Sequence, residues 1–337
     1  MGFEEVLLEN QDSRNQTVCR YLEEMQNLVE SRKNLKTDEA LNIQDEALNV
    51  QARAINIQDE ELFLTIAGED FCYVYDKHKA AFSQLTYGGK EYLTKPVSVN
   101  IWRAPTDNDR NIKADWSRAC YDRAVLREYD TICEKADGYV KISSRCSLGA
   151  DTIQKIMDIE EEWKVYEDGK ISVVMKVKKN REFPDLPRFG IRLFLQDEFQ
   201  KVGYYGMGPV ESYQDKCRAS SHGYYEADIA EMHEDYIMPQ ENGSHVDCDV
   251  VTLSDGKFGL TAVSDVPFSF NASIYSQEEL TEKMHNYELI PEGSSILCLD
   301  HKQNGIGSNS CGPWLEEPYQ FKEAEFTFHM NLIPSQG

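Results

Sequence analysis

From Leu62 onward, apolar residues gather into short β-rich runs separated by Gly, Pro, Asn and Asp. Phe63–Ile66 and Phe71–Tyr75 are the first, and the Gly88-Gly89 turn signal precedes Glu91-Tyr-Leu. Val140–Ser144, Ile153–Ile159, Ile171–Val177 and Gly190–Leu195 follow, then Val250–Leu253, Phe258–Ala262, Phe268–Ile274 and Phe321–Leu332. Many short strands with turn-formers between them predict a mainly β fold, a large antiparallel β-sandwich. Helix is expected only in short pieces, at Ile112–Ala124 and Gln277–Asn286.

The texture before residue 62 is different. Residues 2–9, Gly-Phe-Glu-Glu-Val-Leu-Leu-Glu, read as one short strand. Residues 10–61 are polar and contain neither Pro nor Gly. Within them Leu22, Met25, Leu28 and Val29 fall at helical spacing, so a helix is expected over Val18–Val29. A seven-residue echo then starts at Leu41, Leu48 and Ile55, with apolar residues at the first and third places of each unit. Those places lie on opposite sides of a helix, which excludes a coiled-coil seam. The organisation expected is therefore a strand at 1–9, a partly helical linker or insertion at 10–61, and a β-sandwich domain at 62–337.

Composition narrows the class further. At 337 residues, 41% hydrophobic and 11% aromatic, the chain can bury a sizeable core. Its formal net charge of −24 argues against nucleic acid and against anionic lipid, since both are recognised by basic surfaces. No apolar stretch approaches the ~20 residues of a membrane helix. The nine cysteines are odd in number and form no Cys-x-x-Cys pair, which suits a reducing cytoplasm and offers no zinc or iron–sulfur site. No two histidines have the i, i+4 spacing of a helical metal site.

Four motifs stand out: Trp102-Arg-Ala-Pro-Thr-Asp-Asn-Asp-Arg110, Tyr204-Tyr-Gly-Met-Gly-Pro-Val-Glu-Ser-Tyr-Gln-Asp215, Pro239-Gln-Glu-Asn-Gly243 and Gly305-Ile-Gly-Ser-Asn-Ser-Cys-Gly-Pro313. Read from residues alone, the first, which holds Arg103, Asp107, Asn108, Asp109 and Arg110, is a turn stitched by an Arg–carboxylate pair. The second is a tight crossing that needs glycine. The third is a buried turn in which Glu241 and Asn242 satisfy backbone groups. Glu211 and Asp215 are a carboxylate pair on paper, of the kind that performs glycosidic acid/base work.

In this order and at these separations, over roughly residues 62–334, the motifs resemble the carboxy-terminal domain of the bacterial β-galactosidases of glycoside hydrolase family 2. In some bacteria that region is a separate small subunit. The resemblance implies a many-stranded, galactose-mutarotase-like supersandwich, with residues 1–9 as the last strand of a preceding β-sandwich domain. It implies that the whole enzyme hydrolyses terminal β-D-galactosides such as lactose with retention, on two glutamates carried by a barrel domain. This chain would then have no catalytic residue, would be inert alone, and would complete the rim of the active site. Glu211 and Asp215 would be structural. Magnesium and sodium are implied for the whole enzyme, with no cofactor or metal site in this chain.

By the same resemblance, Asp109 and Asn111 lie in a loop beside the sugar. Asn111 stands where the family commonly has Gly, and its tolerance of left-handed backbone would preserve a hinge. The Gly305–Pro313 loop carries Cys311 where several members have a Trp wall, and Trp314 sits three residues on as a replacement platform or as packing under the loop. Cys311, Trp314, Asn111 and Asp109 are thus the expected pocket rim. The implied partners are the remaining β-galactosidase domains or large subunit, a galactoside, and a second copy of the chain in a homo-oligomer. The competing reading is a free-standing sugar-binding module or an aldose-epimerase-like domain, with His222 and His245 as its histidines.

Overall fold

A computed structural model describes residues 55–337. The expected strand at 2–9, the helix at 18–29 and most of the seven-residue echo lie outside the described residues. A first antiparallel sheet runs in chain order through β1 (Asn56–Asp59), β2 (Phe63–Ala67), β3 (Phe71–Asp76), β4 (Ala81–Tyr87) and β5 (Lys90–Glu91). The third unit of the echo, expected in the linker, therefore contributes an edge strand. Asn56–Asp59 pairs with Leu64–Ala67, and this pairing overrides the weak local pattern.

The remaining strands form a second sheet of twelve. They are β6 (Leu93–Asn100), β7 (Val125–Ala136), β8 (Tyr139–Gly149), β9 (Met157–Tyr166), β10 (Ile171–Lys179), β11 (Arg188–Leu195), β12 (Lys201–Gly208), β13 (Ser221–Asp228), β14 (Ser244–Ser254), β15 (Phe258–Ser273), β16 (Ser295–Gln303) and β17 (Glu325–Gln336). Its main path is β13-β12-β14-β15-β17-β10-β9-β8-β7. The branch point is β15, expected as two runs and forming one strand of 16 residues with a bulge at 264–267 between its halves. Its first half pairs with β17 and its second half with β16, which leads on to β11 and β6.

Alternation drives the packing. Along β9, Met157, Ile159, Glu161, Trp163 and Val165 turn inward while the residues between them face out. Trp163 meets the edge of Phe82 on β4, with ring centroids 5.3 Å apart, and Phe82 meets Tyr75 at 5.3 Å. This aromatic row joins the two sheets into one core. The mainly β, antiparallel class expected from the sequence is the one observed. The helical pieces are shorter than expected: α1 covers Lys113–Arg118 and α2 covers Gln277–Glu282.

Gly190, on β11 between β16 and β6, sits where a Cβ would lie 1.9 Å from the Leu299 carbonyl oxygen and 2.7 Å from Asp300 Cα. Gly190→Ala should cost about 1–3 kcal/mol, because backbone on a buried strand cannot step aside. Urea unfolding checks this; an unchanged midpoint would mean that β16 yields freely.

Candidate functional site

The four motifs, more than 200 positions apart at their extremes, meet in one loop cluster. The centre of the first is Arg103, fully buried. Its Nε and Nη2 donate to the two Asp109 carboxylate oxygens at 3.2 and 2.7 Å. Nη1 and Nη2 also donate to the carbonyls of Asn304 and Gly305 at 2.5 and 3.0 Å, which ties the first motif to the fourth. Asp109 Oδ2 accepts the Thr106 amide and hydroxyl at 2.9 and 3.0 Å, closing the turn. The Arg–carboxylate stitch expected from composition is this one, with Asp109 rather than Asp107 as the acid.

Further bonds pin the two loops along their length. Asn108 Nδ2 donates to Gly307 O at 2.7 Å, and its Oδ1 accepts the Ser310 amide at 3.1 Å. Arg110 donates to Ser310 O at 2.9 Å. From the second motif, Asp215 accepts the amides of Ile306 and Gly307 at 2.9 and 2.6 Å. From the third, Gln240 Oε1 accepts the Asp107 amide at 3.0 Å, and the Glu241 amide donates to Ala104 O at 3.0 Å.

A second buried guanidinium lies beneath. Arg188 donates to Asp300 through Nε and Nη2 at 3.0 and 2.5 Å, and to both Glu241 oxygens through Nη1 at 3.2 and 3.1 Å. Gln303 donates to Ser244, whose hydroxyl donates to Glu241 at 3.2 Å. Burial disfavours the charge on Arg188, but Asp300 and Glu241 hold its pKa well above the usual value. Glu241 therefore serves an ion pair rather than the backbone groups expected of it. Asn242 does serve the backbone: it accepts the Glu234 amide at 3.0 Å and donates to Gln240 O at 2.9 Å. Arg188 was not legible as a site residue; it opens a strand that also carries Arg192, so nothing local sets it apart.

Of the four expected rim residues, one is buried and three are exposed. Asp109 is buried under the loops, because its carboxylate is consumed by Arg103 and Thr106. Asn111 is exposed and is not left-handed; among described non-glycine residues that conformation occurs at Ala80, Cys120 and Asp247. A hinge resting on left-handed backbone at Asn111 is thus absent here. Cys311 is exposed at the loop tip. Trp314 is 64% exposed, so it is not packed under the loop. It borders a depression of about 120 Å³, together with Asn108, Asn304, Gly305 and Gly307.

The remaining acids and histidines are committed. Glu211 accepts from Lys216, Tyr236 and the Gly243 amide. His245 lies between Tyr204 and Phe270, with Nδ1 2.9 Å from Met207 O, and burial lowers its pKa to about 4. His222 Nε2 lies 2.9 Å from Asp247 O. Among the described residues no three His, Cys, Asp or Glu side chains form a group able to hold a metal. The acids of the cluster are occupied by guanidinium, ammonium and amide groups, so they do not fit the implied magnesium and sodium. Gly206 and Gly208 are required by close approach, as expected: a Cβ would lie 2.3 Å from Cys248 Sγ and 2.2 Å from Tyr204 Oη respectively.

Fold and cluster together define a large antiparallel β domain whose widely separated loops are locked into one surface by buried ion pairs. The family model for the β-galactosidase small chain matches residues 67–332, and the chain belongs to that family. A β-galactosidase of Actinobacillus pleuropneumoniae is 39% identical over 275 residues, which cover 82% of this chain and 27% of that protein. One of Staphylococcus xylosus is 35% identical over 273 residues, covering 81% and 28%. The chain thus spans about a quarter of the length of these relatives. A solved galactose 1-epimerase of Lactobacillus acidophilus superposes with a TM-score of 0.48 at 9% identity, over 85% of this chain and 99% of that one.

Proposed function

We propose that this chain is the carboxy-terminal β-sandwich region of a glycoside hydrolase family 2 β-galactosidase, cleaving terminal β-D-galactosides such as lactose with retention. The barrel that carries the two glutamates is supplied by the remaining domains or by a large subunit, and magnesium and sodium are held there. The convergence of four distant motifs on one loop surface carries this reading. Arg103, Asp109, Asp215 and Asn108 stiffen the surface without touching sugar, leaving Cys311 and Trp314 exposed to form the rim. Rigid support of this kind is what keeps a contacting side chain in its productive position. The eight described cysteines are all free, consistent with work in the cytoplasm.

The chain alone should not turn over a chromogenic β-galactoside above a buffer blank. Mixed with the barrel-bearing portion, it should restore activity. Purification-tracking activity that is lost in Glu211→Gln would overturn the assignment. In the reassembled enzyme, Trp314→Ala should weaken galactoside binding by about 1 kcal/mol, the scale of one aromatic contact. If Trp314→Ala changes nothing while Cys311→Trp tightens binding, Trp314 is not the platform.

A further inference from the structure

The most exposed apolar side chains are not spread evenly over the surface. Among the described residues seven large ones are at least 60% exposed, and four of these, Ile237, Met284, Tyr287 and Ile290, lie on two adjoining loops. Met238 is exposed beside them. The Asn286 amide donates to Ile237 O at 3.2 Å and so joins the two loops. The second loop is held in place: Glu288 accepts the amides of Met284 and His285 at 3.1 and 3.0 Å, and Glu279 on α2 accepts the Ile290 amide at 2.9 Å. Tyr287 stacks on His285, with ring centroids 5.0 Å apart. Single apolar side chains are ordinary on a surface, but a fixed cluster of them marks a place where another surface sits.

Charge and position select the occupant. Residues 233–240 and 277–292 carry seven acids and one lysine. Lys283, Arg192 and Lys95 pair with Glu279, Glu278 and Glu292, which leaves Glu234, Asp235, Glu282 and Glu288 without a lysine or arginine partner. A second copy seated on its own equivalent would bring these acids together, and like charges across an interface oppose association. The complementary surface is a different one, apolar at its centre and basic at its edge. Position says where that surface belongs. Gln240 Nε2 donates to Met238 O at 3.3 Å while its Oε1 accepts the Asp107 amide of the first motif. Trp102, which opens that motif, donates through Nε1 to Thr281 on α2 at 3.2 Å. The apolar cluster is thus anchored to the motif that Arg103 joins to the Trp314 loop. We propose that it is the docking surface for the barrel-bearing portion of the enzyme, which meets it with an apolar area edged by lysine or arginine. This rests on the β-galactosidase reading; about three-quarters of each relative lies outside the region matched by this chain. Apolar burial supplies the affinity, and the acids steer the approach.

The test mixes the full chain with the barrel-bearing portion and reads assembly by sedimentation velocity, with galactoside turnover measured separately. The wild-type chain should assemble, and its association should slow as salt rises. The double variant Ile237→Asp, Tyr287→Asp should weaken assembly at least about 30-fold, the scale of an interface hot spot. Ile237→Ser with Tyr287→Ser, which adds no charge, should lose affinity in the same direction. Both positions are at least 79% exposed, so urea midpoints of these variants should match the wild type. Val125→Asp, a new charge at an exposed position on β7, should leave assembly unchanged. The proposal is overturned if the wild-type chain does not assemble, if the double variants assemble as tightly as the wild type, or if Val125→Asp costs as much as they do. A wild-type chain that dimerises alone and becomes monomeric in the double variants would overturn it too, in favour of a second copy. Assembly that depends on Ile237 and Tyr287 but yields no turnover supports the docking surface and counts only against the galactosidase reading. Turnover restored equally by the double variants does the reverse.

Discussion

Arg188→Met is expected to destabilise the chain by about 3–5 kcal/mol, the usual consequence of removing one member of a buried ion-pair group. Arg188 is fully buried against Asp300 and Glu241, both also buried. Methionine matches much of its length but leaves two carboxyls facing each other without a cation. They must then take up protons or draw in water. Equilibrium urea unfolding, reading the midpoint and slope together, measures the loss. Adding Glu241→Gln and Asp300→Asn should recover a substantial part, because neutral amides can bond to each other and to Ser244 and Gln303. If the single variant unfolds at the wild-type midpoint, the network is incidental to stability. The same substitution should also lower activity in the reassembled enzyme, since Glu241 anchors the third motif to Ala104 of the first.

Glu161→Gln should do the opposite, and only over a defined pH range. The folded-state carboxyl titrates near 8, raised by burial, against an ordinary value of 4.5. Between these two values the folded chain holds a proton that the unfolded chain releases, so stability falls as pH rises through the window. Below it both states are protonated and the acid carries no such penalty. Gln cannot ionise, so its advantage over Glu should be smallest near pH 4 and grow to about 3 kcal/mol by pH 7, at 1.36 kcal/mol per pH unit. Above pH 8 the gap should stop widening. Thermal or urea unfolding of both proteins at pH 4.5, 6, 7 and 8 gives the slope. Parallel curves across that range would show that Glu161 is ionised in the fold and hydrated.

The β-rich runs were legible where side chains alone decide burial. Phe71–Asp76, Ile171–Lys179 and Arg188–Leu195 lie at or near their expected places, and each sits between partners. The strands that sequence reading passed over are of a different kind. Val125–Ala136 and Ser221–Asp228 are edge strands with much exposed surface, so no apolar pattern marks them. Lys201–Gly208 was hidden by its glycines, which serve close contact with Tyr204 and Cys248 rather than a turn. The expected break within Phe258–Ile274 survives as a bulge: Val263 and Phe268 pair with Val250 and Cys248 of β14, and residues 264–267 between them stand outside every ladder.

By itself the sequence determined the β class and the antiparallel habit, since alternating burial and turn chemistry are local properties, and its four motifs carried the resemblance to one family. It also carried the stitch between Arg103 and a nearby aspartate, six residues away. Only the tertiary structure decided which acids are spent and which side chains remain free. Asp109 went to the interior and Trp314 to the surface because Arg103 reaches across to the carbonyls of Asn304 and Gly305, about two hundred residues along the chain. Likewise nothing local distinguishes Glu161 from the glutamates on either side of it. Its burial follows from strand register, which turns every second residue of β9 inward whatever its charge.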